Sequence, residues 1–593
     1  MNNRTTLIGA LLLSSTMAMA ELPDGYWTAE QTQPILDATL KVTLGVDLAH
    51  LTAAETRALA ELLAAGWIMH SLYEDQLHPE ANSAKQALDA LHYTAAEKRD
   101  TTNLLDLYYL SKGPIVTTLD NERLPFLPVV DAVPGKNVYP PDLTREEFDA
   151  YIEARPGQTA SLLAERAIVR RVTAENIAAD LEMLGQYPAV DALHTGLRSK
   201  LEALDANASG LYAVPYALAY APALYAAKKH LDTAAAILEP DAPDFAAYLR
   251  NRGRDLLSGD YESGDASWVS AEFRNLNLQF GSYETYNDSL LGVKAFYSAS
   301  LLARDEEKSR ALAAAMTELQ SIEDSLPYEH QKRVRSHVPV GVYNVVADFG
   351  QARGANTATI LPNDADHARK YGRIVLIRNN ILTSPEIFED RKRRYAAALD
   401  PGFHEHLTMD GGFNRTLWHE IGHYLGVSAT ADGRGLSEAL AEYADFLEEM
   451  KSDLVSLYAA PRLQTIGYYD SEGMRAHYAD GIRRTLQVVR PRPEQPYQNM
   501  QLMQFNFFME YGLIEPSDES ALLTINYDRY HEAVSELLAE VLLLQYAGDY
   551  ELAREFIERW NYWDEMVHGK LAERMQQGAR YRNTMVRYGI LDD

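Results

Sequence analysis

The chain has 593 residues, which is too long for a single hydrophobic core and predicts two or more lobes. Hydrophobic residues make up 47% of it and charged residues 24%, the proportions of a globular protein and not of a disordered one. The formal net charge of -30 argues against nucleic acid as a partner, because such a surface does not neutralise phosphates.

Residues 1–20 have the composition of a secretory signal peptide. Arg4 supplies a positive charge, residues 7–13 are a short apolar run, and Ala18-Met19-Ala20 is a small-residue cleavage site before Glu21. The apolar run is too short to span a bilayer, and no later run is long enough and free of charge. The chain has no cysteine, so it has neither disulfide bonds nor cysteine ligands for a metal. These features predict an exported protein, periplasmic or secreted, without a membrane anchor.

The first part of the chain is predicted to be helical. Capping-box patterns at Thr52–Glu55 and Thr94–Glu97 precede apolar-periodic segments between Leu51 and Leu110. Prolines then interrupt the pattern, and helical periodicity returns from Thr144 to about Leu256.

Strand-like segments rich in β-branched and aromatic residues follow at Leu276–Tyr286, Val338–Asp348 and Arg373–Leu382. Between the first two, Val293–Asp324 has the Ala, Leu and Glu content of a helix. After Leu382 the pattern is helical to about Gln577.

The order of these segments predicts an α+β, mostly helical fold with two lobes separated by a cleft, where substrates are usually held. We expect a helical upper lobe and a mixed lower lobe. In chain order the predicted parts are the signal peptide 1–20, a lower lobe 21–292 with helices and strands, a helical upper-lobe insertion 293–330, lower-lobe strands 331–382, a helical catalytic lobe 383–577 and a C-terminal segment 578–593.

The segment His419-Glu420-Ile421-Gly422-His423 has the pattern H-E-x-x-H within an apolar helical run. Residues four apart lie on one face of a helix, so His419 and His423 can hold one metal ion. Imidazoles suit Zn²⁺, and Glu420 lies where it can take a proton from a water on the metal. The pattern predicts a zinc hydrolase with one Zn²⁺ per chain and Glu420 as its general base.

A third protein ligand is needed, and the region after the motif offers several acids at spacings of three and four. We expect them to share one helical face: Glu438, Glu442, Asp445, Glu449 and Asp453. Glu438 with Glu442 is arranged as in thermolysin-like enzymes, and Glu449 with Asp453 fits equally well. Spacing alone leaves both pairs open.

The segment Glu448-Glu449-Met450-Lys451-Ser452-Asp453 resembles the E-E-x-[RK]-[AS]-[ED] signature of the dipeptidyl peptidase III family. The resemblance implies that Glu449 is the third zinc ligand and that Glu448 and Asp453 orient the two zinc histidines. Well-known members carry the hexapeptide H-E-x-x-G-H, whereas this chain has the pentapeptide form of some bacterial members.

Two further segments carry the same resemblance. Gly281–Asp288 is similar to the family's G-x-x-E-T-Y segment, which implies that Tyr286 stabilises the transition state and that Glu284 binds the free N-terminus of the substrate. Ile360-Leu-Pro-Asn363-Asp resembles the segment N-I-P-N-Y-D, which implies that Asn363 also binds the N-terminus. Two positions depart from the family, because Ile360 replaces its first Asn and no substrate-binding His stands near Tyr497.

The resemblance implies a zinc-bearing helical upper lobe and a lower lobe around a small, five-stranded β-barrel. It also implies an exopeptidase that releases dipeptides from the N-terminus of small peptides. One alternative is a zinc peptidase of other specificity, an endopeptidase or oligopeptidase, since the pocket departs from the family. Another is a non-catalytic, two-lobed peptide-binding protein, against which Glu420 argues, because binding alone needs no general base.

Overall fold

The computed structural model describes residues 22–334, 339–362, 364–492, 495–517 and 522–591, so the predicted signal peptide lies outside the described residues. The chain divides into two compact units. One is formed by the described residues of Met1–Asp37 and His78–Val133, and the other by the described residues of Ala38–Leu77 and Pro134–Asp593.

The longer helices are, in chain order, α1 (Ala29–Asp37), α2 (Ala53–Leu77), α3 (Ala81–Thr94), α4 (Arg99–Ser111), α5 (Arg145–Ala154), α6 (Ala174–Gln186), α7 (Ala221–Leu238), α8 (Pro243–Ser258), α9 (Glu262–Ser270), α10 (Glu306–Met316), α11 (Pro385–Ala398), α12 (Met409–Gly422), α13 (Ala444–Tyr458), α14 (Ser471–Thr485), α15 (Pro496–Glu510), α16 (Tyr530–Ala547), α17 (Tyr550–Trp560) and α18 (Lys570–Gly578). Shorter helices lie at Thr159–Leu162, Pro188–Leu193, Leu197–Glu202, Tyr216–Ala219, Leu319–Ser325, Ala365–Tyr371, Asn379–Leu382, Leu436–Leu440 and Ala460–Thr465.

The strands are β1 (Thr39–Leu44), β2 (Ile115–Thr117), β3 (Arg123–Pro125), β4 (Ala167–Arg171), β5 (Leu211–Pro215), β6 (Leu276–Glu284), β7 (Phe296–Arg304), β8 (Val340–Gly350), β9 (Ala358–Leu361), β10 (Ile374–Arg378), β11 (Ile514–Pro516), β12 (Leu523–Ile525) and β13 (Asn583–Tyr588). Among the described residues, no helix combines the length and the apolarity needed to cross a membrane.

The smaller unit packs α1, α3, α4 and the β2–β3 hairpin around its own apolar core. Leu88, Leu104 and Phe126 are fully buried in this core. The carboxylate of Asp100 accepts a hydrogen bond of 2.6 Å from the backbone N–H of Ala29, and so satisfies a donor at the start of α1.

The larger unit is organised by a five-stranded sheet with the order β6-β7-β8-β10-β9. Strands β8 and β10 are parallel, and the other neighbours are antiparallel. The sheet has an apolar core on each face, because successive side chains of a strand point in opposite directions. In β10, Leu376 joins the core that includes α2, α7 and α8, whereas Val375 and Ile377 join the core that includes α12, α13 and α16.

The prediction of an α+β, mostly helical fold with two lobes is confirmed, but the small β-barrel is not present in the described residues. Strands β6 and β9 form the two edges of the sheet and do not pair with each other there, so the sheet is open. The division of the chain at residues 292, 330 and 382 stays a prediction.

The prediction of a single helix over Val293–Asp324 is wrong, because Phe296–Arg304 forms strand β7. This strand pairs with β6 on one side and β8 on the other, and its residues are buried except for Arg304. Two ladders of backbone hydrogen bonds outweigh the helix propensity of its Ala and Leu residues. The helix α10 begins only after Asp305, whose carboxylate accepts from the N–H of Lys308 and caps it.

Candidate active site

The H-E-x-x-H motif lies at the C-terminal end of α12. Thr408 caps the start of this helix by accepting a hydrogen bond of 3.0 Å from the N–H of Gly411. Leu417, Trp418 and Ile421 are buried, which fixes the rotation of the helix about its axis. His419 and His423 consequently lie one turn apart, with 5.0 Å between their ring centroids.

Helix α13 packs against α12 at Gly422. A Cβ atom at this position would lie 2.7 Å from the backbone oxygen of Ser452, so only glycine permits the contact. The close approach brings Glu449 to both histidines. Its Oε2 lies 3.2 Å from Nε2 of His419 and 3.7 Å from Nε2 of His423.

The other ring nitrogen of each histidine is held by a carboxylate. Nδ1 of His419 lies 2.7 Å from Oδ1 of Asp453, and Nδ1 of His423 lies 3.0 Å from Oε1 of Glu448. These contacts fix the orientation of both rings and direct both Nε2 atoms towards Glu449.

Cations hold the two supporting carboxylates in their charged forms. Burial acts to raise the pKa of Asp453, but the adjacent Arg415 guanidinium outweighs it and keeps the pKa well below its usual range. Burial also acts to raise the pKa of Glu448, and the charge of Lys451, whose Nζ lies 2.7 Å away, lowers it to about 2. Burial acts to lower the pKa of His419, but its hydrogen bond to Asp453 raises it to about 9.

The group fits a metal ion. His419, Glu420 and His423 offer donor atoms that lie within 4.8 Å of one another. Oε2 of Glu449 is buried and has no hydrogen-bond partner among the described residues, although two Nε2 atoms face it. Two imidazole nitrogens and one carboxylate oxygen are a donor set that suits zinc.

The structure separates the two candidate ligand pairs that spacing left open. Glu438 is exposed on the short helix Leu436–Leu440, and Glu442 accepts a hydrogen bond of 2.7 Å from Tyr550 outside the histidine group. The expectation that all five acids share one helical face is wrong. The helix is interrupted at Ala441, which has a φ of 49°, and α13 begins only at Ala444.

A cleft of about 1030 Å³ within the larger unit connects the histidine group to the sheet. Its lining includes seven of the residues that the sequence singled out: Glu284, Tyr286, His419, Glu420, His423, Glu448 and Glu449. Asp453 is buried behind His419, and Asn363 lies outside the described residues. Ile360 also lines the cleft, so an apolar side chain faces the substrate space where the family resemblance implies an amide.

Glu284 is the last residue of β6, and Tyr286 follows two residues later with 65% of its surface exposed. Partial burial of the phenol group raises the pKa of Tyr286, and the charge of Glu284 adds to the shift. Tyr286 therefore retains its proton at neutral pH and can donate a hydrogen bond into the cleft.

Three supporting residues were missed in the sequence. Tyr497 donates a hydrogen bond of 3.0 Å to Oε1 of Glu449, whereas the sequence marks its surroundings only as a place where the family's substrate-binding His is absent. Lys451 Nζ donates to the carbonyl oxygens of Gly422 and Leu425 at the end of α12. Arg415 lies one helical turn before His419, and this spacing is a signal that could have identified it.

No family model matches the chain. Nudix hydrolase 3 from Arabidopsis thaliana is 24% identical over 557 residues, covering 88% of this chain and 69% of that protein. Among solved structures, dipeptidyl peptidase III from Caldithrix abyssi aligns with a TM-score of 0.78 and 23% identity, covering 94% of this chain and 99% of that one. Dipeptidyl-peptidase III from Corallococcus sp. strain EGB aligns with a TM-score of 0.71 and 23% identity, covering 96% and 98%. This chain therefore has the fold of dipeptidyl peptidase III.

Proposed function

We propose that the protein is a zinc-dependent exopeptidase that releases dipeptides from the N-terminus of short peptides. The proposal rests on one observation, namely that two sets of side chains line the same cleft. The histidine group with Glu420 and Glu449 lies on the helical side, and Glu284 with Tyr286 lies at the end of the sheet. The likeness in fold to dipeptidyl peptidase III structures supports the same activity.

His419, His423 and Glu449 would hold one Zn²⁺. When bound, this ion supplies Lewis acidity that polarises the scissile carbonyl and lowers the pKa of the attacking water. Asp453 and Glu448 keep the two Nε2 atoms available by engaging both Nδ1 atoms.

Glu420 moves the proton of the reaction. Its carboxylate takes a proton from the water as the water oxygen bonds to the carbonyl carbon, and passes that proton to the amine as the C–N bond breaks. The hydroxyl of Tyr286 donates a hydrogen bond to the negative charge that develops on the carbonyl oxygen. Its exposure within the cleft leaves the hydroxyl accessible to substrate.

Glu284 binds the N-terminus of the substrate and so determines which peptide bond reaches the histidine group. The free α-amine of a peptide is cationic at neutral pH, and placing it in a cleft is costly unless a carboxylate meets it. Glu284 is the carboxylate at the sheet end of the cleft. The distance from this group to the histidine group then selects the second peptide bond.

The competing function is an endopeptidase or oligopeptidase on the same fold. Ile360 favours it, because an apolar side chain in the cleft removes one hydrogen-bonding contact to the substrate's N-terminus. Cleavage position separates the two functions.

We would measure initial rates on a free peptide and its N-acetylated counterpart and identify the fragments by mass. We expect the acetylated peptide to be a much poorer substrate, with dipeptides released from the free one. Glu284→Ala should remove most of the difference between the two peptides, and Glu284→Gln, which keeps the shape but not the charge, should do the same. Equal rates on both peptides, or fragments cut at interior bonds, would identify an endopeptidase.

Export is a further proposal and rests on the composition of residues 1–20. N-terminal sequencing of the mature protein from a Gram-negative host should begin at Glu21. A protein that retains its initiator segment in the cytoplasm would contradict export.

A further inference from the structure

The side chain of Tyr497 lies in the first turn of α15, lines the cleft and contacts Glu449. Its hydroxyl donates to Oε1 of Glu449 over 3.0 Å. We propose that Tyr497 is a positioning residue that keeps Glu449 a one-oxygen metal ligand and so preserves an open coordination position. The inference rests on the proposed function, in which Glu449 is a zinc ligand.

The two oxygens of Glu449 have different surroundings. Oε2 faces Nε2 of His419 and of His423 and accepts no hydrogen bond among the described residues. Oε1 accepts the hydrogen bond of Tyr497. A carboxylate that binds a metal through one oxygen needs a donor for the other, whereas two-oxygen binding uses both. The hydrogen bond from Tyr497 therefore favours binding through Oε2 alone.

Helix α15 holds α13 at a second point as well. Gln504 lies seven residues after Tyr497, on the same helical face, and its Nε2 lies 3.3 Å from Oδ2 of Asp453. Asp453 in turn lies one helical turn after Glu449 and holds Nδ1 of His419. The face of α15 thus supports both the ligand carboxylate and the carboxylate behind a ligand histidine.

Loss of the hydrogen bond from Tyr497 to Glu449 is expected to affect turnover as well as the position of the carboxylate. A catalytic zinc has three protein ligands and keeps a position for water or substrate. If Glu449 used both oxygens, the second would occupy part of that position. Loss of the Tyr497 hydroxyl should therefore lower kcat and leave KM nearly unchanged.

The test compares Tyr497→Phe with the matched control Tyr511→Phe. Tyr511 directly follows the other end of α15 and lies outside the cleft lining described above. For wild type and both variants we would measure zinc content, the zinc dissociation constant by competition with a chelator, and the visible absorption of the cobalt(II)-substituted protein. The kcat and KM values for a free peptide complete the set.

We expect Tyr497→Phe to bind one zinc with an affinity weakened by roughly 10- to 100-fold, the usual effect of removing a group that supports a ligand. Its cobalt absorption should fall in intensity, as for a higher coordination number, and kcat should fall. Tyr511→Phe should match wild type in every measurement. Tyr497→Gln, which keeps a donor, should recover part of the affinity, and this variant guards against a folding defect in the first.

Two results would overturn the inference. Tyr497→Phe with wild-type zinc affinity and cobalt absorption but lower activity would mean that Tyr497 acts on the substrate. If Tyr497→Phe and Tyr511→Phe gave the same zinc affinity, cobalt absorption, kcat and KM, Tyr497 would have no role in positioning Glu449. A wild-type protein that binds no zinc would refute the proposed function itself, and the two failures are thus distinguishable.

Discussion

At the residue scale, Glu420 differs from the other carboxylates around the histidines. Asp453 and Glu448 are engaged by Nδ1 atoms and by cations, and Glu449 faces both Nε2 atoms. Glu420 lines the cleft beside His419 and His423 and is not one of the two carboxylates that hold their Nδ1 atoms. It is therefore placed to act on water and substrate instead of on the histidines.

Replacement of Glu420 by Gln should separate chemistry from metal binding. The amide keeps the shape but removes the base, so turnover should fall by roughly 10²- to 10⁴-fold while zinc content stays at one per chain. Elemental analysis and steady-state kinetics on the same preparation check this. Glu438→Gln, at an exposed acid outside the cleft lining, is the control and should behave as wild type. A zinc-loaded Glu420→Gln protein with full activity would refute the mechanism.

Local pattern was sufficient to predict the residues on α12, because helical geometry alone places His419 and His423 on one face. Glu449 could be chosen over Glu438 only through the family signature. The spacing argument assumed one continuous helix from Glu438 to Asp453. The backbone breaks at Ala441, so the two pairs of acids lie on different helical segments, and spacing alone does not reveal this break. Tyr497 could not be predicted, because its contact with Glu449 joins two helices that are distant in sequence.

At the element scale, the crossing of α12 and α13 determines the geometry of the histidine group. The backbones of Gly422 and Ser452 leave no room for a Cβ atom between them, and Glu449 lies one turn before Ser452 on α13. Any side chain at position 422 must move one helix away from the other. The distances from Glu449 to the two histidines therefore depend on a residue that is not itself one of the proposed metal ligands.

Gly422→Ala should weaken both stability and metal binding. The added methyl group meets backbone atoms of Ser452, which cannot turn aside, so we expect a loss of about 1–3 kcal/mol in the free energy of unfolding. Zinc affinity and turnover should fall with it, because Glu449 moves away from the histidines. The matched control is Gly185→Ala on α6, where a Cβ atom meets nothing within 4 Å.

That control should change stability by no more than about 1 kcal/mol, and in the favourable direction, because alanine suits a helix better than glycine. Urea unfolding and chelator competition on both variants give the comparison. Equal behaviour of the two variants would show that the helix crossing tolerates a wider spacing.

Strand β7 shows where pattern fails at this scale. Its sequence, Phe-Tyr-Ser-Ala-Ser-Leu-Leu-Ala-Arg, is buried on both faces, so it lacks the alternation that marks a half-exposed strand. A continuously buried strand and a buried helix look alike in a single sequence. The neighbouring strands offer clearer signals, because β-branched and aromatic residues are frequent in β8, and in β6 the apolar Leu276, Leu278 and Phe280 alternate with polar residues.

At the scale of the whole molecule, a buried lysine amine links the stability of the larger unit to pH. Lys294 is fully buried, and its Nζ donates to the carbonyl oxygens of Leu162 and Ala164 over 2.7 Å each. Burial lowers the pKa of Lys294 to about 7, and the nearby Asp288 opposes the shift only in part. The folded state therefore prefers the neutral amine, whereas the unfolded chain keeps the amine charged up to about pH 10.4.

The sign of the pH effect follows from proton counts. Between about pH 7 and 10.4 the unfolded chain binds a proton at Lys294 that the folded protein does not, so stability rises with pH in this window. Relative to Lys294→Met, the wild-type free energy of unfolding should rise by about 1 kcal/mol per pH unit between pH 8 and 10. Urea unfolding of both proteins at several pH values measures the difference, in which the other titrating groups cancel. Parallel pH profiles would show that Lys294 stays charged when folded.

The pairing of β1 with β13 has a consequence for the order of events during synthesis. Thr39–Leu44 pairs in parallel with Asn583–Tyr588, so nearly the whole described chain lies between the two partners. While a ribosome is still elongating the chain, β1 has no partner, and contacts this distant in sequence form slowly. The larger unit is therefore incomplete until β13 has been synthesised. If the chain is exported, as proposed from the composition of residues 1–20, late completion of this kind would keep it unfolded and competent for translocation.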